Sequence, residues 1–201
     1  MCTEVFGGFR MYKLCKSEQS VIRQRELEQQ LLTIMENLRL DEITVSDFCT
    51  QTGISRKVFY RYFSGKEGAL YALIDHTLLE MENSPHTGKS HGEIGYQKKL
   101  ACFFQFWQGQ KRLLDALVRS GVTEILMERV IDYALSDAGA VREFLPCCDA
   151  DVREYATTFS ICGFMSMVLF WHRTDFEMSP EQMAEIALPL LTKPLIQLKN
   201  T

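Results

Sequence analysis

Residues 43–67 read ITVSDFCTQTGISRKVFYRYFSGKE and carry the most specific structural signal in the chain. Thr44 stands just before a segment with helical apolar spacing and can cap the free amides of a helix that starts there. Gly53 can end that helix, because glycine accepts the left-handed backbone that a helix C-terminus often needs. Ser55 can then cap a second helix that continues to about Tyr62. Two short helices joined by a tight turn with glycine make a helix-turn-helix unit.

The second helix of this unit carries basic side chains and no acid. Phe59 and Phe63, four residues apart, are expected to face inward and to hold the helix against its neighbours. The helix would be about 12 Å long at about 1.5 Å per residue, which suits a B-DNA major groove about 12 Å wide. The side chains expected on its outer or flanking surface are Arg56, Lys57, Val58, Tyr60, Arg61 and Tyr62.

Three consecutive motifs in this region closely resemble the TetR family of bacterial regulators. They are Ile43–Cys49, Gly53–Phe63 and Lys66-Glu67, at the spacing typical of that family. The resemblance implies a three-helix DNA-binding head, a fourth connecting helix, an all-helical ligand-binding body and a homodimer.

The resemblance also carries site residues over, position by position. Matches to the family's phosphate contacts are Thr44, Ser55, Tyr60, Tyr62 and Lys66. Matches to its base-reading edge are Arg56, Lys57, Val58 and Arg61. The sequence departs from the family at Lys57, where a small residue is common, and at Val58, where threonine is common. A valine offers thymine a methyl contact but no hydrogen bond, so base preference does not transfer from relatives.

The composition of the whole chain is that of a folded, soluble protein. Its 201 residues are 46% hydrophobic and have a formal net charge of −4, which argues against disorder and against coating nucleic acid along the whole surface. Seven cysteines are an odd number, so a complete disulfide framework is excluded. No apolar stretch is long enough for a signal peptide or a membrane span. We therefore expect a cytoplasmic protein that has no membrane partner.

Helical apolar spacing recurs along nearly the whole chain, which predicts an all-α fold. Capping boxes are predicted at Ser64–Glu67 and Ser179–Gln182, and Pro189 and Pro194 are expected to kink or break the last helix. The predicted helices cover about residues 18–38, 44–53, 55–62, 64–82, 96–108, 110–119, 122–137, 151–173 and 180–198.

The chain is expected to divide into two domains. Residues 1–65 would contain an N-terminal arm and the helix-turn-helix DNA-binding domain. Residues 66–201 would contain the connecting helix and a helical-bundle domain for effector binding and dimerisation.

The helix predicted at 151–173 is apolar on almost every side over its second half, so it needs to be covered from several directions. Its own domain would cover one side of the helix. On another side, small residues such as Ser160 and Gly163 would let a second copy of the chain approach closely in a two-fold contact. The final helix is the natural partner. The residues expected at this dimer interface are Ser160, Gly163, Phe170 and Leu188.

Aromatic and methionine side chains in the C-terminal half could line an apolar cavity for a ligand, since methionine adapts to shape and tryptophan offers an N–H group. For any one of these side chains an ordinary packed core is the better explanation, and a pocket formed by the group is what the family resemblance implies. The residues expected in such a pocket are Phe103, Phe104, Trp107, Met127, Phe164 and Met167.

The sequence contains no motif of an enzyme, because it has no nucleophile elbow, phosphate-binding loop or dinucleotide fingerprint. The histidines and cysteines are not spaced as a zinc site, and no cofactor is expected. We therefore expect a ligand-responsive transcriptional repressor that binds a palindromic operator in double-stranded DNA as a homodimer and is released by an unknown small molecule. Two alternatives stay open: a regulator whose C-terminal half binds a partner protein, and a redox sensor that uses Cys147 and Cys148.

Overall fold

The computed structural model describes residues 11–83, 93–136 and 150–192. These residues form a series of helices, so the predicted all-α class is confirmed. A 3₁₀ turn at Leu40–Glu42, which the apolar spacing did not predict, lies between the first two helices. The helices are α1 (Glu18–Met35), α2 (Val45–Thr52), α3 (Arg56–Tyr62), α4 (Lys66–Glu82), α5 (Glu93–Gly109), α6 (Lys111–Ser120), α7 (Thr123–Leu135), α8 (Ala150–Arg173) and α9 (Pro180–Thr192).

The described residues belong to two compact units. The first contains residues 11–79 and 112–136, which are α1 to α3, most of α4, α6 and α7. The second contains residues 80–83, 93–111 and 150–192, which include α5, α8 and α9. The compact units therefore do not coincide with the predicted boundary at residue 65, because the first unit also contains most of α4, α6 and α7. The division of the chain by function stays a prediction.

The core of the first unit forms where α1, α2 and α3 bring their apolar faces together. Leu31 and Met35 of α1, four residues apart on one face of the helix, are fully buried. The helix ends at Met35, earlier than predicted, and Leu38 beyond it is exposed. Arg119 of α6 donates hydrogen bonds to the carbonyl oxygens of Met35 (3.0 Å) and Glu36. These bonds satisfy backbone groups that every helix leaves free at its C-terminal end.

The second unit is held together by aromatic side chains, and α5 packs along α9. Phe104 of α5 meets Trp171 of α8 edge to face, with 5.7 Å between the ring centroids. The indole N–H of Trp171 donates to the carbonyl oxygen of Met178 at 3.1 Å, which closes the turn after α8. Asp175 and Phe176 in this turn have positive φ angles of 53° and 57°, an uncommon conformation outside glycine.

The capping box at the start of α9 is confirmed. The Ser179 amide donates to Gln182 Oε1 at 2.8 Å, and the Gln182 amide donates to Ser179 Oγ at 3.3 Å. The helix continues through Pro189 to Thr192, so it is not broken at that proline, and a kink there stays a prediction. Pro194 lies outside the described residues.

The capping box predicted at the start of α4 is wrong. The helix begins at Lys66, one residue later than a Ser64 cap requires. The Ser64 hydroxyl instead donates to the carbonyl oxygen of Met11 at 2.6 Å.

Candidate nucleic-acid interface

Side-chain caps shape the helix-turn-helix as the sequence predicts. Thr44 Oγ1 accepts a hydrogen bond from the Asp47 amide at 3.1 Å, and Ser55 Oγ accepts one from the Val58 amide at 3.3 Å. Gly53 ends α2 with a φ of 67°, the left-handed conformation that favours glycine. These local groups fix where α2 ends and α3 begins. The predicted caps at Thr44, Gly53 and Ser55 are confirmed.

One side of α3 is fastened by aromatic rings. Phe59 is fully buried, with ring centroids 5.3 Å from Phe48 and 5.4 Å from Phe63. Edge-to-face and tilted contacts of this kind add to the stabilisation from burial. Tyr62 is also buried, at 6% exposure, so the expectation that it faces outward is wrong. The Tyr62 ring lies 6.1 Å from that of Phe63, and the Tyr62 carbonyl oxygen accepts a hydrogen bond from the Lys13 amide at 2.8 Å.

The opposite side of α3 is exposed and basic. Ser55, Arg56, Lys57 and Arg61 are exposed, Tyr60 is 51% exposed, and Val58 is half-buried. No acidic residue lies between Ile54 and Lys66, so positive charge dominates this short surface. The predicted DNA-contacting residues that the structure brings to one exposed surface are therefore Ser55, Arg56, Lys57, Tyr60 and Arg61.

Two of the basic side chains are held by neighbours outside α3. The guanidinium of Arg56 donates to Ser46 Oγ on α2. The ammonium of Lys66 donates to the carbonyl oxygen of Asp41 at 3.1 Å, so the start of α4 is tied to the 3₁₀ turn before α2. Thr44 is exposed beside that turn. The predicted contacts at Thr44 and Lys66 thus lie at the start of α2 and of α4, and flank α3 in the sequence.

The acidic groups of the same region are engaged by local donors. Arg39 donates to Asp41 Oδ1 at 3.1 Å, and this hydrogen bond lowers the pKa of the Asp41 carboxyl. Asp47 Oδ2 accepts from the Thr44 hydroxyl at 2.5 Å. Burial raises the pKa of the Cys49 thiol in α2, although the charge of Arg56 lowers it. The thiol is therefore neutral near pH 7 and adds no negative charge beneath α3.

A buried polar cluster behind the helix-turn-helix was missed by the sequence analysis. Asp75 of α4 accepts from Arg129 of α7 at 2.6 and 2.9 Å and from the Tyr12 hydroxyl at 2.7 Å. Glu28 of α1 is fully buried against the ring nitrogen of His76 at 2.8 Å. The only signal in the sequence was that charged residues occur on helix faces that are otherwise apolar. Charges on such faces become buried, and buried charges need partners.

Burial raises the pKa of Asp75, while hydrogen bonds from Arg129 and Tyr12 lower it. Burial lowers the pKa of Arg129, but its hydrogen bond and charge interaction with Asp75 outweigh that effect and raise it. The guanidinium is therefore charged and needs its carboxylate partner.

The residues predicted for a ligand pocket fall in both units. Phe103, Trp107 and Phe164 lie in the second unit, where the Phe103 ring is 6.0 Å from Phe164 and 6.4 Å from Trp107. Phe104 and Met167 belong to the same unit, whereas Met127 belongs to the first. Phe104 and Trp107 are fully buried, and the indole N–H of Trp107 has no hydrogen-bond partner. The pocket itself stays a prediction.

The residues predicted at a dimer interface divide into exposed and buried ones. Gly163 is exposed with open space around it, Phe170 is 68% exposed, and Ser160 is half-buried. Leu188 is only 8% exposed within a single chain, so its expected place on the surface is wrong. On α9, Ile186 is the more exposed apolar residue, at 45%.

Several other predictions concern absences or undescribed residues. Cys147 and Cys148 lie outside the described residues. Within residues 11–83, 93–136 and 150–192, no three histidine, cysteine or acidic side chains are grouped so that they could hold a metal ion. Over the same ranges, no helix combines the length and hydrophobicity of a membrane span.

Solved structures share this architecture. A tetR-family transcriptional regulator from Streptomyces coelicolor has a TM-score of 0.58 at 16% identity, covering 88% of this chain and 80% of its own. A TetR transcriptional regulator from Streptococcus agalactiae 2603V has a TM-score of 0.61 at 12% identity, covering 87% of this chain and 96% of its own. The fatty acid degradation regulator FadR from Bacillus halodurans has a TM-score of 0.59 at 12% identity, covering 90% of this chain and 98% of its own. No family model and no curated protein matches the chain.

Proposed function

We propose, from the fold that this chain shares with TetR-family transcriptional regulators, that it is a DNA-binding transcriptional repressor released by a small molecule. The observation that carries the proposal is the short helix α3. One side of it is fastened by buried aromatic rings, and the other side is exposed, basic and free of acid. A basic helix held rigidly on its inner side suits insertion into a major groove.

The base-reading residues in this proposal are Arg56, Lys57, Val58 and Arg61. Arg56 is the first residue of α3, where a helix that enters the groove by its N-terminal end brings side chains to base edges. An arginine there can donate two hydrogen bonds to guanine. Val58 is half-buried and can contribute at most a methyl contact to thymine.

The phosphate contacts in this proposal are Thr44, Ser55, Tyr60 and Lys66, and they surround the reading residues. Hydroxyl groups and a lysine at these positions would fix the register of the protein on the duplex without reading sequence. We do not include Tyr62, because its side chain is buried against the core of the first unit.

We further propose that the protein binds DNA as a homodimer through α8 and α9. Large apolar side chains are exposed along α8, among them Tyr155 at 79% and Phe159 at 73%. With Phe170 they line the side of α8 opposite the buried residues of the second unit. An exposed apolar stripe of this kind marks an interaction surface. A two-fold dimer requires a palindromic operator with half-sites about 34 to 36 Å apart or a multiple of that spacing.

The effector in this proposal binds among the aromatic side chains of the second unit. The buried, unpartnered indole N–H of Trp107 supports this location, because the ring of Trp107 contacts Phe103, which in turn contacts Phe164. The chain passes from the first unit to the second within α4, so α4 is the element through which effector binding would reach the reading helix. Such a coupling is reciprocal: the effector weakens DNA binding by the same factor by which DNA weakens effector binding.

The test is to select fragments of the source genome that bind the purified protein and to footprint them. We expect a palindromic site, and the Arg56→Ala variant should lose about 1 to 3 kcal/mol of affinity on that site while keeping its non-specific affinity. Failure to enrich any fragment would contradict the proposal and would favour a regulator that acts through a partner protein. Equal losses on specific and non-specific DNA would show that Arg56 contacts the backbone.

A further inference from the structure

The short segment Met11–Lys13, which we call the strap, is fastened along the end of the reading helix. The Lys13 amide donates to the carbonyl oxygen of Tyr62 at 2.8 Å, and the Ser64 amide donates to that of Met11 at 2.9 Å. Tyr12 and Phe63 form an isolated antiparallel bridge between these bonds. The strap therefore holds the backbone at the junction of α3 and α4.

Tyr12 anchors the strap in the buried polar cluster. Its side chain is 7% exposed, and its hydroxyl donates to Asp75 Oδ2 on α4 at 2.7 Å. Its ring also meets His76 edge to face at 5.8 Å. Because Asp75 is bonded to Arg129 of α7, the strap connects the end of α3 with both α4 and α7.

The close approach of the strap to α4 depends on Gly68. A Cβ atom at this position would lie 2.2 Å from the carbonyl oxygen of Met11, far closer than two such atoms can approach. The obstructing atom belongs to the backbone, so it could move only if the strap itself moved. An alanine at position 68 is therefore incompatible with the closed strap.

We propose that the strap is a positioning element for DNA binding, which fixes the orientation of α3 according to the arrangement of α4 and α7. This inference rests on the proposed function. Helix α3 has only seven residues, so contacts at its end govern its direction. A displacement of α4 against α7 would disturb Asp75 and Arg129, pull on Tyr12 and release the backbone bonds to Tyr62 and Ser64. Tyr12 is thus a positioning residue that acts through α3 and does not itself touch DNA.

Two variants open the strap by different routes, and each has a matched control. Tyr12→Phe keeps the buried ring and removes only the hydroxyl, while Tyr133→Phe removes a hydroxyl from another buried tyrosine of the same unit. Gly68→Ala collides with the strap, while Gly109→Ala adds the same methyl group at a helix position with nothing within 4 Å.

Hydrogen–deuterium exchange at the Lys13 and Ser64 amides measures how often the strap opens. Loss of a hydrogen bond to a charged group should accelerate this exchange about 10- to 150-fold in Tyr12→Phe. Gly68→Ala should lose protection at both amides. The amides of α9 should exchange as in the parent for both variants, and both controls should keep parental exchange at the strap.

DNA affinity is then measured with two probes, a duplex containing the selected site and sheared genomic DNA. If the closed strap positions α3, affinity for the selected site falls by the factor by which the closed fraction falls. Affinity for sheared DNA should change less, because phosphate contacts tolerate a misplaced reading helix.

The outcomes separate this inference from the proposed function. A parent protein that binds neither probe contradicts both. A parent that binds the selected site, with variants that open the strap yet bind that site with parental affinity, contradicts the positioning role alone. Unchanged exchange at both amides in Tyr12→Phe and Gly68→Ala would likewise overturn it, because the strap would not depend on these contacts.

Discussion

The buried ion pair between α4 and α7 gives the sharpest test of the packing in the first unit. The Asp75 side chain is 0% exposed and that of Arg129 is 5% exposed. Replacing Asp75 with alanine leaves a buried guanidinium whose remaining carboxylate partner is Asp132, at 2.9 Å. Removal of one member of a buried pair costs about 3 to 5 kcal/mol. Because Asp132 is 37% exposed and remains in place, we expect the lower end of this range.

The assay is urea unfolding with two probes. Both tryptophans of the chain, Trp107 and Trp171, belong to the second unit, so their fluorescence reports that unit, whereas far-UV circular dichroism reports all helices. With a slope of about 1 to 3 kcal/mol per M of urea, the midpoint of the first unit should fall by at least about 1 M in Asp75→Ala. The fluorescence transition should move less than the circular dichroism transition.

A double variant separates charge from packing. Well-packed apolar residues often replace a buried ion pair without lowering the stability of the protein. Asp75→Leu combined with Arg129→Met should therefore recover most of the stability that is lost in Asp75→Ala. Destabilisation of the double variant as large as that of Asp75→Ala would refute the reasoning, because the loss would then come from packing alone.

The same ion pair predicts the direction in which the stability of Arg129→Met changes with pH. Burial already raises the pKa of Asp75, and removal of Arg129 takes away a group that lowers it. A carboxyl whose pKa is higher in the folded chain than in the unfolded chain binds its proton more tightly when folded. The variant should therefore lose stability as pH rises through that raised pKa, and should be most nearly parental in acid. Equal destabilisation at pH 8 and near pH 4, about the pKa of an unfolded aspartate, would contradict this account.

Three further predictions concern the proposed function. Lys66→Ala should reduce the slope of log affinity against log salt by about 0.9, and an unchanged slope would remove Lys66 from the DNA contacts. Gly163→Arg should leave the single chain folded, since its Cβ position is open, and should give monomers in sedimentation, where an intact dimer would argue against α8 as the interface. A small molecule seen in the native mass spectrum of protein from its host should be absent from Phe164→Ala, and its retention would place the pocket elsewhere.

Features that depend on neighbours three or four residues away could be predicted from the amino-acid sequence. The caps at Thr44, Gly53 and Ser55 were predicted because the groups that satisfy each helix end are close in the chain. The inward position of Phe59 followed from helical periodicity in the same way. The basic surface of α3 could be predicted because charge is a property of the residues themselves.

Contacts between side chains that are far apart in the chain could not be predicted in this way, because they depend on how the helices pack. Tyr12 and Asp75 are 63 residues apart, and Asp75 and Arg129 are 54 apart, so no local spacing brings them together. Tyr62 was predicted to face outward because its position on α3 permits that, but its side chain is buried, and its carbonyl oxygen accepts a hydrogen bond from a segment that precedes α1. A helical pattern shows that a residue is near a surface of its own helix, but the partners that cover that surface are set by how the helices pack.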